Sequence, residues 1–232
     1  NADLSFAQAA RANLSGATLD MTTFRRTVLT GASLRGATGL MSTFLEAQLD
    51  HLDAEGVTLQ KASFYQCTLE RACFDNATLE QCSFDKCQAP EASLRGATIH
   101  GSSFMESAFT KADYEEVVGA AAIWLKSNIE GANLSYATLI DAQMQEVMAN
   151  DAKFVACNLR EARFYRAGLR GADFTRANLF GVDMRKAVLT KVRFTKANLY
   201  DAKLMESVGT GVDFSDAELA CANFDRSQLV RI

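Results

Sequence analysis

A five-residue period runs through this chain from one end to the other, and it limits the folds that the chain can adopt. The large residues Phe64, Leu69, Phe74, Leu79 and Phe84 each follow a small residue by two positions. In steps of five from position 4, 39 of 46 sites carry Leu, Phe, Ile, Met, Trp or Tyr. An α-helix repeats every ~3.6 residues and a strand every ~2, so neither keeps one face toward a core at this period. A chain that turns a corner every five residues does, with the large and the small residue inside.

A period of twenty residues is superimposed on the period of five. Sorting the large residues modulo twenty places Phe24, Phe44, Phe64, Phe84 and Phe104 in one column. Four pentapeptides therefore make one square turn, in which like residues stack on like. For 232 residues this predicts an all-β, four-sided β-helix of about 11–12 coils without large loop insertions. At a strand spacing of about 4.8 Å the rod would be roughly 55 Å long.

Individual segments of the chain carry a family motif. Ala2-Asp3-Leu4-Ser5, Ala12-Asn13-Leu14-Ser15, Ala132-Asn133-Leu134-Ser135 and Ala172-Asp173-Phe174-Thr175 resemble the A(D/N)LXX unit of pentapeptide-repeat proteins. The resemblance covers the whole chain and implies a right-handed quadrilateral β-helix, with residues 1–232 as a single domain. Because the repeat is already under way at Asn1, we expect this domain to be part of a longer chain.

Two local features test the regularity of the coil. Residues 114–128 read locally like a short helix, yet the columns keep their phase across them, so we expect a distorted coil in which Trp124 fills space beside Gly119. Glycines recur at one corner, with Asn76 among them, and Gly and Asn tolerate positive φ. We therefore expect a left-handed turn at that corner. Its glycines are Gly16, Gly36, Gly56 and Gly96.

Nothing in the sequence points to catalysis. Only His51 and His100 are present as histidines, and neither a zinc, nucleotide nor hydrolase motif occurs. Carboxylates such as Asp75, Glu80 and Asp85 fall on successive faces and would diverge. A filled core leaves no cavity for a substrate. We therefore expect no enzyme activity, no cofactor and no metal.

The cysteines and the hydropathy bear on the compartment. Cys67, Cys82, Cys87 and Cys157 occupy the small-residue position and are expected to be buried thiols, although a Cys67–Cys87 bridge between neighbouring coils stays open. Free thiols favour a cytoplasmic location, with a secreted effector as the alternative. The most apolar window, residues 117–125, is about half of a membrane span.

The outward positions suggest two candidate surfaces. Apolar residues outside the core concentrate on two adjoining faces, with fewer on the other two, and form a candidate partner surface. Its residues are Leu40, Leu45, Tyr65, Met105, Leu125, Ile140, Tyr165, Phe180, Tyr200 and Met205. Basic residues concentrate near the C-terminal end and form a candidate band around the rod. These are Arg163, Arg166, Arg170, Arg176, Arg185, Lys186, Lys191, Arg193 and Lys196.

These surfaces favour a non-enzymatic structural or protein-interaction module. Arrays of this family occur in bacterial secretion-associated proteins and effectors, and we expect such a parent protein. The alternative is a DNA mimic of the quinolone-protection type that binds gyrase, although a net charge of −4 and a basic band depart from that pattern. We do not expect nucleic acid as a partner. An end-to-end homodimer through the apolar residues Leu229, Val230 and Ile232 is a further expectation.

Overall fold

The computed structural model describes residues 1–230 and shows a four-sided parallel β-helix. Its backbone bridges join residue i to residue i+20, from Asp3↔Thr23 to Lys203↔Asn223. The described chain thus makes eleven and a half coils of twenty residues, as the modulo-twenty columns predicted. We number the faces by their inward columns, which contain Phe64 (first face), Leu69 (second), Phe74 (third) and Leu79 (fourth).

Seven short strands stand out from this ladder, and all their pairings are parallel. The fourth face carries a sheet in the order β1-β3-β5, the first face pairs β2 with β4, and the second face pairs β6 with β7. Their bounds are β1 Thr38–Leu40, β2 Thr43–Leu45, β3 Thr58–Gln60, β4 Ser63–Tyr65, β5 Thr78–Glu80, β6 Val208–Thr210 and β7 Gln228–Val230. No helix occurs between residues 1 and 230, so none of those residues forms a helix able to cross a bilayer.

The interior is a solid shaft of large and small side chains. In the first column, Phe44 and Phe64 stack at 4.4 Å between ring centroids, and Phe64 stacks on Phe84 at the same distance. Phe74 from the third face meets Phe64 edge-on at 5.9 Å. Aromatic rings prefer these two geometries. The coil spacing therefore lets each ring use its faces for its own column and its edge for the neighbouring column.

Every corner from residue 6 to residue 226 uses a residue with positive φ, two positions after the large residue. The N–H of the residue three positions after the large residue donates to the carbonyl of the large residue; Ala7 donates to Leu4 in this way at 3.1 Å. Together with positive φ at the third residue of the turn, this hydrogen bond defines a type II turn. The left-handed corner predicted at Gly16 is therefore confirmed, and corners without glycine adopt the same conformation. Lys61 and Ala121 adopt it as well, because the backbone ladder on both sides holds them there.

The Asp or Asn of the family motif has a backbone role. The N–H just after the large residue has no partner in the ladder between coils. The side chains of Asp3 and Asp173 accept a hydrogen bond from this N–H, which belongs to the residue two positions further along, at 2.9 and 3.0 Å. Elsewhere an acceptor one coil earlier does so, as Asp85 does for Met105 at 2.9 Å and His100 Nδ1 for Ala120 at 3.1 Å. The motif residue thus caps an otherwise unpaired donor.

Residues 114–128 form a regular coil, so the predicted distortion is absent. Trp124 stacks on Phe104 at 5.1 Å within the first column, and Tyr114 meets Trp124 edge-on at 5.8 Å. The space at Gly119 is taken by Ile99 and not by Trp124, since a Cβ added there would lie 2.5 Å from Ile99 Cγ1. Burial of both rings leaves Tyr114 Oη and Trp124 Nε1 without a hydrogen-bond partner.

The four cysteines at small-residue positions are buried and free. Cys67 Sγ donates to the Phe44 carbonyl at 3.0 Å, and Cys87 Sγ donates to the Phe64 carbonyl at 3.3 Å. The two thiols are therefore satisfied by backbone acceptors of the preceding coil without a bridge. Burial raises the pKa of Cys82 to about 11, so that thiol stays protonated at neutral pH.

Candidate interaction surfaces

The outside of the rod, and not its interior, carries the chemistry that a partner could meet. The inward columns are filled by apolar side chains that are almost entirely buried. Among residues 1–230 no group of three or more His, Cys, Asp or Glu side chains is placed to hold a metal ion. His51 and His100 are exposed and lie on different faces. The carboxylate, imidazole and cationic side chains therefore point outward.

The predicted apolar surface is two separate columns on adjoining faces. The first-face column is half-buried, because each of its residues lies against the residues above and below it in the ladder. It consists of Leu45, Tyr65, Met105, Leu125, Tyr165 and Met205. In the fourth-face column, Leu40 and Tyr200 are exposed, while Ile140 and Phe180 are half-buried.

In the C-terminal half the fourth-face column carries Phe180 and Tyr200, and the first-face column carries Tyr165. Phe180 and Tyr200 stack at 5.5 Å with an interplanar angle of 5°, and Arg160 lies 5.3 Å from the Phe180 centroid. On the first face, Arg166 and Arg185 lie 5.1 and 5.8 Å from the centroid of Tyr165. The cation–π contacts hold the arginine and aromatic side chains in place, and the guanidinium groups partly cover the rings.

The predicted basic band divides into paired and unpaired residues. Arg185 bonds Asp183 at 2.7 Å, Arg193 bonds Asp173 at 2.6 Å, and Lys186 approaches Glu206 at 3.4 Å. The other members form no ion pair with any residue in 1–230. They are Arg163, Arg166, Arg170, Arg176, Lys191 and Lys196.

The ion pairs lower the pKa of the carboxyl groups that take part in them. Burial alone would raise the pKa of Asp173, but hydrogen bonds from Arg193 and Thr175 more than offset it, so its pKa lies below the ordinary value. Asp183 behaves in the same way, with Arg185 as the donor. Both carboxylates therefore stay charged at neutral pH.

The band is also divided in space. Arg166 and Lys186 occupy the corner between the first and second faces, whereas Arg176 and Lys196 occupy the diagonally opposite corner. No single flat partner can touch both corners at once.

The second face carries exposed apolar residues that the sequence reading underestimated. Met148, Val188 and Val208 share one column and are 48%, 37% and 40% exposed, with Gly168 between the first two. Val230 at the end of β7 is exposed as well. The candidate partner surface leaves this column out because it was drawn from the positions after the large residue. The position before the large residue also projects outward, and this column could have been found there.

Ion pairs partly neutralise the acidic half of the rod. Arg35 bonds Glu55 at 2.6 Å, and Arg95 bonds both Asp113 and Glu115, at 2.9 and 2.6 Å. Similarly, Arg71 bonds Glu91 at 2.8 Å. These exposed pairs contribute little stability, but they break up what would otherwise be rows of negative charge on the second and third faces.

Comparisons with known proteins agree with this architecture. A family model described as pentapeptide repeats matches residues 10–38, 44–81, 149–179 and 167–208, and a second pentapeptide-repeat model matches 64–108. No curated protein sequence matches the chain.

Several solved structures are similar to the chain. HetL, a pentapeptide repeat protein involved in heterocyst differentiation regulation in the cyanobacterium Nostoc sp. strain PCC 7120, is 24% identical, with a TM-score of 0.45 over 96% of this chain and 89% of that one. A pentapeptide repeat protein from the Arabidopsis thaliana thylakoid lumen is 32% identical over 42% of this chain and 58% of its own, with a TM-score of 0.33. Full-length QnrB1, a plasmid-mediated fluoroquinolone resistance protein, is 16% identical over 98% and 91%, with a TM-score of 0.30.

The family models together cover more than half of the sequence, and the coil has the twenty-residue ladder that their repeat requires. This chain belongs to the pentapeptide-repeat family.

Proposed function

We propose that this chain is a non-enzymatic interaction module, a rigid β-helical rod that presents surface side chains to a protein partner. The observation that carries the proposal is the contrast between its inside and its outside. The shaft is filled, whereas aromatic side chains such as Tyr165, Phe180 and Tyr200 reach the surface. Aromatic and arginine side chains are the types that most often dominate binding at protein interfaces.

The predicted apolar columns are the first part of the surface to test. Phe180→Glu and Tyr165→Glu place a charge in the fourth-face and first-face columns. Ala120→Glu is a matched control, because Ala120 is exposed in the same column as Phe180 but three coils away. With the immobilised protein and quantitative recovery from its source lysate, we expect about tenfold lower partner recovery for the first two variants. Equal recovery for all three would contradict the proposal.

We also propose a setting for the module. The family resemblance supports a larger bacterial polypeptide, either a secretion-associated protein or an effector, and the free buried thiols support a reducing compartment such as the cytoplasm. Fractionation of cells that express the epitope-tagged full reading frame tests this setting. Recovery of the tagged protein only from an oxidising compartment would overturn it.

Self-association through one end is a further part of the proposal. Phe214, Phe224 and Leu229 are only partly buried and border a depression of about 260 Å³, while Val230 is exposed. We propose that Leu229 and Val230 of the 232-residue chain pair with a second copy; Ile232, the third predicted contact, lies outside the described residues. Sedimentation velocity should show a dimer that Leu229→Asp converts to a monomer. A wild-type monomer at high micromolar concentration would contradict this pairing.

The second candidate function is a DNA mimic that binds gyrase. Its support is the acidic excess of residues 1–116, which hold 9 Lys+Arg and 15 Asp+Glu. The pairing of Arg35, Arg71 and Arg95 with neighbouring carboxylates weakens that support, because a mimic needs unneutralised negative charge. A gyrase supercoiling assay with a quinolone decides between the two: protection by micromolar protein would favour the mimic, and its absence would remove it.

A further inference from the structure

The second face of the C-terminal half combines an apolar column with unpaired positive charge. Met148, Gly168, Val188 and Val208 succeed one another on neighbouring coils, and the three side chains among them are all substantially exposed. In the middle two coils of this strip, residues 166–171 and 186–191, no acidic residue occurs. Glu146, Asp151 and Glu206 lie beside its two ends, so the strip is an apolar line whose middle two coils are cationic.

Cations lie on both sides of this line. Arg166 stands at the corner shared with the first face, while Arg170 and Lys191 stand toward the corner shared with the third face. All three are exposed, and none forms an ion pair with another residue in the described range. An apolar line flanked on both edges by free cations is complementary to an apolar stripe flanked by carboxylates.

Gly168 leaves a notch in the line. A Cβ built on Gly168 would meet nothing closer than Asn150 Oδ1 at 3.8 Å, so the space between Met148 and Val188 is open. Its φ is not in the left-handed region, unlike that of Gly171 three positions on. The glycine is thus not required by the backbone, and a partner side chain the size of leucine can enter where its own side chain is missing.

The spacing along the rod selects a helix over an extended strand as the occupant. Coils repeat at about 4.8 Å and turns of an α-helix at about 5.4 Å, a mismatch of roughly 0.6 Å for each coil and about 2 Å over the three intervals from Met148 to Val208. Alternate residues of a strand repeat at about 6.7 Å, which accumulates a mismatch of roughly 6 Å over the same distance. Side-chain flexibility absorbs the first mismatch but not the second.

We propose that the second face between Met148 and Val208 binds an acidic amphipathic α-helix of a partner protein, laid along the rod axis. The helix places one large apolar side chain over Gly168 and others against Val188 and Val208. Its flanking carboxylates pair with Arg166 on one edge and with Arg170 and Lys191 on the other. This inference rests on the proposed interaction function but uses a different surface from the aromatic columns of the first and fourth faces.

A designed peptide tests the site without knowledge of the natural partner. The probe is a fluorescein-labelled helical peptide of roughly 20 residues, about 30 Å long, with Leu at the a and d positions and Glu at e and g. Fluorescence anisotropy with the full 232-residue chain should show saturable binding that weakens with salt. The same peptide with Lys in place of Glu, and an acidic peptide made extended by proline, should not bind.

Variants of the chain locate the binding. Gly168→Gln fills the notch, and the double variant Arg170→Glu with Lys191→Glu reverses the charge of one edge. Each should weaken the binding of the acidic peptide by about tenfold. Arg176→Glu with Lys196→Glu makes the same change of charge at the corner between the third and fourth faces, outside the proposed site, and should leave the affinity unchanged within about twofold. Thermal melts confirm that each variant folds.

The outcomes separate this inference from the proposed function. No binding of the acidic helix, equal binding of the proline peptide, or equal losses of affinity for the two charge-reversal pairs would overturn the second-face site. The aromatic columns would still be tested by Phe180→Glu, whose effect on partner recovery does not involve this face.

Discussion

Removal of a ring from the middle of the aromatic column tests how the shaft holds together. Phe64 is fully buried, stacks on both Phe44 and Phe84 at 4.4 Å, and meets Phe74 edge-on. Replacement of a buried phenylalanine by alanine costs about 3–5 kcal/mol. We expect Phe64→Ala in the upper part of this range, because each aromatic pair adds about 0.5–1.5 kcal/mol beyond burial and the rigid ladder cannot collapse into the cavity.

Two matched variants turn this value into a test. Phe64→Leu retains most of the apolar volume and should cost about 1.5 kcal/mol. Phe224→Ala removes a half-buried ring whose one aromatic contact among residues 1–230 is Phe214, at 5.7 Å. It should cost about 1–2 kcal/mol because an end can fray alone. Urea unfolding followed by circular dichroism measures all three. If Phe64→Ala cost no more than Phe224→Ala, the column would not be the continuous core described above.

Four further substitutions probe the interior, a corner, a cap and an ion pair. Gly209→Ala brings a Cβ within 2.8 Å of the Leu189 backbone and should lower the free energy of unfolding by about 3 kcal/mol. Gly211→Ala has open space around its Cβ but keeps φ at +65, and this backbone strain alone should cost about 1 kcal/mol. Urea unfolding measures both. Asp85→Ala removes the acceptor of the Met105 N–H at 2.9 Å and of two serine hydroxyls, with an expected loss of about 1–3 kcal/mol by the same measurement. The pKa of Asp173 is lower in the folded chain than its value of 3.8 in the unfolded chain. The charged carboxylate therefore stabilises the fold above pH 3.8, and this stabilisation is lost as the pH falls below that value. Asp173→Asn should accordingly flatten the acid side of the stability–pH profile.

Each of these expectations has a clear contrary result. Equal losses for the two glycine variants would mean that the coil yields at β6. An Asp85→Ala variant as stable as Asp85→Asn, which keeps an acceptor oxygen, would remove the capping role. Unchanged acid sensitivity in Asp173→Asn would show that the pair with Arg193 does not hold that carboxylate charged in the native state.

The sequence predicts the core of this protein well because the core is nearly one-dimensional. The vertical neighbours of a residue at the large position are always those twenty positions away, so the column of Phe44, Phe64 and Phe84 can be read without coordinates. The corners are less visible, because the ladder forces Lys61 and Ala121 into a conformation that their chemistry does not favour.

The surface is harder to read, because exposure depends on what the coils above and below provide. Tyr165 has a large ring at an outward position, yet Arg166 and Arg185 lie over it. Val188 is a small residue in a position that looks ordinary, and it stands exposed above Gly168. Side chains that pack along the axis therefore decide which apolar residues a partner can reach, and the five-residue pattern alone does not contain that information.

Distances along one column test the central claim most directly, namely that residues twenty apart are vertical neighbours. Spin labels at Gln60 and Arg160, and at Gln60 and Ala220, lie in one exposed column, five and eight coils apart. With Cys73 and Cys221, the two cysteines that are not buried, replaced by serine, double electron–electron resonance should give label separations of about 24 and 38 Å, in proportion to a spacing of about 4.8 Å for each coil. Separations that do not scale with the number of coils would contradict the four-sided β-helix.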